Sequence, residues 1–336
     1  MGPIDFGGLL DGYYSLNFNH PVVGNQLYNF DAFANQFSLN MAKLSISHTA
    51  APVGFEIDIG FGQAFDIVHA TDPDRSIPFL RNIEQAYVSW KPFQDRGLEL
   101  DFGQFVSSVG AEVFETNANW NYSRSLLFTN TPYYHTGLRV TDPIGKYFTG
   151  GIQIINGWDD TEDNNSGKTI ALVGNFAGKK LAWNNDYYVG PENPGTNKGW
   201  RNLYDTSLVL TPGDRFNAYI NFDYVNNKSY PGGVGLSQSW YGIAAASKVQ
   251  LTRKMAVTPR IEWLNDGDGF ATGRAQSPKE FTLTYEYKWV EGLLSRLEYR
   301  HDWSNVDFFE RGGTPNASKY QDTLTLALLA FFGRKP

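Results

Sequence analysis

The side chains best placed to do chemistry in this sequence are charged residues that recur at every second position. Glu56 and Asp58, Glu99 and Asp101, Arg260 and Glu262, and Arg296, Glu298 and Arg300 each alternate with other residue types, and Arg139 sits at an equivalent position elsewhere. In an extended chain, alternate residues share a face, so each group belongs to one polar wall. Carboxylates on one arc and guanidinium groups on a distant arc would set up a transverse field across a narrow passage. Such a field orients polar solutes and penalises apolar ones. The plainer reading is that Arg260, Glu262, Arg296, Glu298 and Arg300 pair with charges on neighbouring strands. The two are compatible, and most of these charges are expected to be paired.

Signals of enzymatic chemistry are weak. His20, His48, His69, His135 and His301 are scattered, and none falls in a metal-ligand spacing. His301 shares outward parity with Ser295 and Trp303, a match at the level of coincidence for a serine hydrolase. The run Asp159-Asp160-Thr161-Glu162-Asp163 lacks the glycine-bearing ligand order of a calcium loop and reads as a solvated acidic tip. No catalytic residue, metal or cofactor is expected. A net charge of -7 argues against a nucleic-acid partner, which needs a basic face.

The elements that must position these charges are strands. Val53, Phe55, Ile57, Ile59 and Phe61 alternate with Gly54, Glu56, Asp58, Gly60 and Gly62, and 280–289 repeats the pattern. Strands are predicted at roughly 8–19, 35–48, 53–66, 82–91, 97–106, 133–142, 146–158, 168–176, 181–189, 201–211, 215–226, 238–251, 254–264, 278–290, 292–303 and 320–332. The second of these switches parity, since Phe37, Leu39 and Met41 share one face but Leu44 and Ile46 take the other. A β-bulge would explain the switch. Every second connection is a tight turn, such as Asp142-Pro143-Ile144-Gly145, and the connections between are long and polar. That sorting is what an up-and-down antiparallel transmembrane barrel produces, and a Greek-key sandwich has no reason for it. About sixteen strands leave a water-filled lumen.

Composition agrees. Mean hydropathy is -0.38, and the longest apolar run, Leu326 to Phe332, is far too short for a spanning helix. A barrel hides its apolar band in alternate residues, which keeps the average low. Trp90, Trp158, Trp183, Trp200, Trp240, Trp263, Trp289 and Trp303 lie near predicted strand ends, where indole favours the membrane–water boundary. Trp240 faces inward by parity. The last strand closes on Phe332, followed by Gly333-Arg334-Lys335-Pro336. The chain has no cysteine, as suits passage through an oxidising periplasm. Met1-Gly2-Pro3 leads straight into the first strand, so a mature chain with its leader removed is expected.

Residues 1–336 thus read as one barrel, with 107–132 as its longest loop. That loop holds Phe114, Trp120, Tyr122, Leu126, Leu127 and Phe128, too many apolar groups for a solvated tip. It is expected to fold into the barrel and hold Glu112, Glu115 and Arg124 where the pore is narrowest.

The stretch Asp101 to Pro143, DFGQFVSSVGAEVFETNANWNYSRSLLFTNTPYYHTGLRVTDP, resembles the OmpL-like family of outer-membrane β-barrel porins. NGWDDTEDNNSGKT at 156–169 and YYVGPENPG at 187–195 are similar to further segments of that pattern. The resemblance implies a bacterial outer-membrane porin for passive diffusion of small hydrophilic solutes or ions, with membrane lipids and polar solutes as its partners. The alternative is a loop-plugged barrel that scaffolds a surface or periplasmic partner. The PEFGG-like loop signature of general trimeric porins is absent, which leaves a homo-oligomer open.

Overall fold

Alternating sequence becomes a closed cylinder. The computed structural model describes residues 3–70, 78–93 and 95–333; the tail at 334–336 and the first two residues lie outside them. In chain order the strands are β1 (Asp5–Asn17), β2 (Gln36–His48), β3 (Val53–Phe61), β4 (Ile83–Trp90), β5 (Glu99–Val106), β6 (Tyr134–Ile144), β7 (Phe148–Ile155), β8 (Thr169–Ala177) and β9 (Leu181–Gly190). They continue as β10 (Arg201–Gly213), β11 (Phe216–Ser229), β12 (Leu236–Gln250), β13 (Met255–Asn265), β14 (Lys279–Val290), β15 (Leu293–Trp303), β16 (Phe309–Arg311), β17 (Thr314–Ser318) and β18 (Tyr320–Phe332). β1 to β15 and β18 pair antiparallel with their neighbours, and β18 closes on β1, giving a barrel of 16 strands. The remaining two, β16 and β17, form a separate hairpin inside the last long loop.

Parity decides which face meets lipid. On β18, Leu324, Leu326, Leu328 and Phe332 are exposed, while Thr323, Thr325, Ala327 and Leu329 are buried. Trp90, Trp183, Trp200 and Trp289 lie outward at strand ends, and Trp183 and Trp289 donate their indole N–H to Thr206 and Ser295. Trp240 is buried in the lumen, as its parity predicts.

Three details depart from the sequence reading. The third predicted strand stops at Phe61, because Gly62 at φ 116° breaks the ladder and α1 (Gln63–Val68) follows. The expected bulge in β2 is present, but it falls before Met41: Asp11 pairs with Met41 and Gly12 with Leu39, leaving Asn40 as the extra residue. Asn40 and Met41 therefore both turn inward, and Met41 is fully buried. The acidic run after β7 is not a solvated tip. Asp160 is buried, and the Asp159 carboxylate accepts the backbone N–H groups of Tyr133 and Tyr134 at the start of β6.

A lipid-facing charge tests this inside-out assignment. Leu326→Arg is expected to destabilise the barrel in phospholipid vesicles by about 2–4 kcal/mol, measured by denaturant unfolding. An effect near zero would place Leu326 away from the hydrocarbon.

Candidate functional site: the inward loop and its wall

The connection from β5 to β6 has no strand to pair with, so its backbone polar groups need partners of another kind. The barrel wall supplies them. Arg296 on β15 donates to the carbonyls of Thr116 and Asn121 at 2.8 and 3.0 Å and to that of Asn119 at 2.5 Å. Arg260 on β13 donates to the Ser123 and Arg124 carbonyls at 2.7 and 3.2 Å, and Arg300 to the Arg124 carbonyl at 2.7 Å. Carboxylates take the N–H groups. Glu298 accepts from Tyr122 and Ser123 at 2.6 and 2.8 Å, and Glu262 accepts from Leu126 at 2.8 Å. The Leu126 N–H opens the one-turn helix α2 (Leu126–Thr129), which Ser125 caps through the Phe128 N–H.

The loop's own charges complete the fastening. Glu112 accepts from Arg260 at 2.8 Å and from the Ser125 N–H at 2.7 Å. Glu115 meets Lys43 of β2. Arg124 does not line open space: it is 1% exposed and donates to the carbonyls of Val113, Phe114 and Tyr122 in its own loop. Burial pulls its guanidinium below the usual range, and Glu112, Asp11 and Asp31 oppose that pull. On β1, Asp11 accepts from Thr116 at 2.6 Å and Tyr122 at 3.0 Å. Asn221 on β11 takes the Ala111 N–H at 3.0 Å. The loop thus touches β1, β2, β11, β13 and β15 before it returns to β6.

Apolar packing supports the same course. Phe114 lies edge-on to Phe30 and Phe65, at 5.0 and 5.2 Å between ring centres, so the first two long loops fold in over the third. Leu126 and Leu127 are buried in the largest apolar cluster with Trp240 and Leu264. Trp120 rests against Tyr219 at 5.3 Å.

The guanidinium groups of the predicted basic wall are therefore occupied twice, by the loop and by acids on adjacent strands. Arg260 lies 2.9 Å from Glu280 and 3.1 Å from Glu262; Arg296 bonds Glu286, and Arg300 bonds Asp302, each at 2.8 Å. No solvent gap separates loop acids from wall bases at Glu112–Arg260. The expected acidic arc lies apart from this cluster. Asp58 joins Lys43, Asp101 pairs with Arg139 at 2.9 Å, and Glu99 stands 3.4 Å from Lys91. Glu56, Asp58, Glu99, Glu112 and Glu115, with Lys43 and Lys91, line a cavity of about 610 Å³ beneath the loop on the tight-turn side. On the outer face, His301 takes Asp322 at 2.8 Å and Ser295 takes Trp289, so the hydrolase-like pairing is not made.

Asp11, Lys43, Glu84, Glu280 and Glu286 escaped the sequence reading. Lys43 meets Asp58, Glu84 and Glu115 at once. Glu84 had one visible signal: by parity it belongs with Val88 and Trp90 on the lipid face, where a carboxylate is out of place. Ile59 pairs with Ile83 and Asp58 with Gln85, so Glu84 is a bulge residue and turns inward.

An antiparallel 16-stranded barrel with an inward third loop is the architecture of outer-membrane porins. The chain belongs to the family described as "Putative beta-barrel porin-2, OmpL-like", whose model matches residues 3–332. No curated protein matches the sequence at a significant level. Among solved structures, it is similar to an anion-selective porin from Comamonas acidovorans (10% identity, TM-score 0.65, 98% of this chain and 99% of that one). It is also similar to the outer membrane channel DcaP of Acinetobacter baumannii (12% identity, TM-score 0.63, 98% and 97%). Salmonella typhi OmpF in complex with daunomycin matches at 11% identity and TM-score 0.62, over 98% and 97%. At these identities the likeness is one of fold. Family and fold together make the chain a bacterial outer-membrane porin of the passive-diffusion class, with the character of a channel rather than an enzyme.

Two predictions follow from the fastening. Arg296→Ala removes three carbonyl anchors and leaves Glu286 to Lys248 alone, a loss of about 1–3 kcal/mol for the loop carbonyls left unbonded. Larger, noisier single-channel steps are expected, and steps of unchanged size would mean the loop is held by other contacts. The second concerns Asp31, where burial pushes the carboxyl up from 3.8 to about 7; Glu298 adds to the rise, and Arg300 and Arg124 oppose it. A carboxyl raised on folding stabilises the packed first loop most below about pH 4 and loses that contribution as pH climbs toward 7. Chymotryptic nicking within residues 18–35 should increase over that window, and Asp31→Asn should remove the dependence.

Proposed function

We propose that the loop at 107–132 sets the size and selectivity of the pore, admitting small hydrophilic solutes and ions past a constriction bounded by the loop and the wall. The observation that carries this reading is the set of carbonyl and amide bonds from Arg260, Arg296, Arg300, Glu262 and Glu298 to the loop backbone. In this reading Glu112, Glu115 and Arg124 act by fixing the loop. Glu56, Asp58, Glu99, Asp101 and Arg139 line the approach on the tight-turn side. Membrane lipid is the outer partner. A homo-oligomer is the proposed assembly, and OmpT of Vibrio cholerae, similar in fold at 12% identity and TM-score 0.59, occurs in a trimer form.

One observation favours the rival reading of a plugged scaffold: the loop is bonded to wall strands on both sides of the lumen. Liposome swelling separates the two. A channel of this kind should admit glycine and small sugars and exclude a trisaccharide. Correctly folded protein that admits none of them is a plugged barrel.

A further inference from the structure

One row of lumen acids stands outside the arginine–glutamate network that fastens the loop. Asp186 on β9, Asp205 on β10 and Asp223 on β11 stand directly opposite one another, since Asp205 pairs in register with Asp186 on one side and Asp223 on the other. Directly opposed residues on one face have Cβ atoms about 5 Å apart, and like charges so placed repel. All three are at most 1% exposed. Among the described residues none of them forms a salt bridge, in a lumen where Lys43, Arg139, Lys248, Arg260, Arg296 and Arg300 each have an acidic partner.

Their oxygens are left over in a definite pattern. The Asn221 amide donates to one oxygen of Asp205 at 2.7 Å and one of Asp223 at 3.1 Å, while its carbonyl oxygen holds the Ala111 N–H of the inward loop. Asn221 is thereby fixed in orientation. Oδ2 of Asp205, Oδ2 of Asp223 and both oxygens of Asp186 have no hydrogen-bond partner. A buried carboxylate that has no counter-charge and an oxygen left unbonded is unfavourable. Such a row is relieved by protons on the acids or by a cation drawn from solution. Only oxygen is offered, in carboxylate form, which is the donor set of a hard cation that keeps part of its water.

We infer that the Asp186–Asp205–Asp223 ladder is a cation subsite at the root of the inward loop, and that it gives the pore a preference for cations over anions. The inference rests on the channel reading above. A hard, partly hydrated cation bridges Asp186 and Asp205, with Asp223 as the next carboxylate along the row. In a low-dielectric wall its attraction extends into the neighbouring passage. The row was hidden in the sequence because each aspartate sits alone on its own strand, and only the register of three strands brings them together.

The test is the reversal potential of single channels under a KCl gradient. Wild-type protein should reverse toward the potassium potential. The triple variant Asp186→Asn, Asp205→Asn, Asp223→Asn should lower the potassium-to-chloride permeability ratio several-fold while keeping open steps. The single variant Asp205→Asn, checked for folding by its heat-modifiable gel mobility, should do so to a lesser degree. Reversal at zero or toward chloride in wild type, or an unchanged ratio in both variants, overturns the inference and leaves the channel intact. Folded protein that passes no current overturns the channel reading and the inference with it.

Discussion

A loop inside a barrel has a hydrogen-bonding problem that the barrel itself does not have. Strand backbones satisfy one another around the ring, but a segment crossing the lumen exposes N–H and C=O groups with no ladder to join. Here the wall answers with ionic side chains: three arginines take carbonyls and two glutamates take amides. Hydrogen bonds with one charged partner are shorter and stronger than neutral ones. The loop consequently has one position, and the first two long loops have a surface of Phe114 and Phe128 to fold against.

This use of charge changes the meaning of the alternating acids and bases. Arginines aligned on β13 and β15 would generate a field if they faced water across a gap. Bonded to loop carbonyls and to Glu280, Glu286 and Asp302, they act chiefly as anchors. Electrostatic character then passes to groups that the anchoring leaves over. Those are the carboxylates along β9 to β11, which meet no lysine or arginine among the described residues.

The barrel was legible because its signal is local and repeated. Alternation and loop sorting placed all sixteen wall strands, with ends within a few residues at most positions. The misses came where a single residue breaks the period. Gly62 ends β3 with a positive φ that alternation cannot register, and Asn40 and Glu84 are bulges that turn two neighbours to the same face. The site was half legible. Apolar content pointed to an inward loop, and parity placed Arg260, Arg296 and Arg300 on the lumen side. What they bond depends on contacts more than 130 positions apart in the chain, as between Arg260 and Arg124 or Arg296 and Asn119. No spacing pattern encodes such contacts.

The central claim is that charged wall residues hold the loop backbone as firmly as strands hold one another. Amide hydrogen exchange of the folded barrel at residues 119–128 reads this directly. The Tyr122, Ser123 and Leu126 amides, each donated to a wall carboxylate, should exchange as slowly as amides in the neighbouring strands β13 and β15. Exchange at the rate of the outer loop tips would contradict the account, because it would describe a loop that visits the lumen without being fastened there.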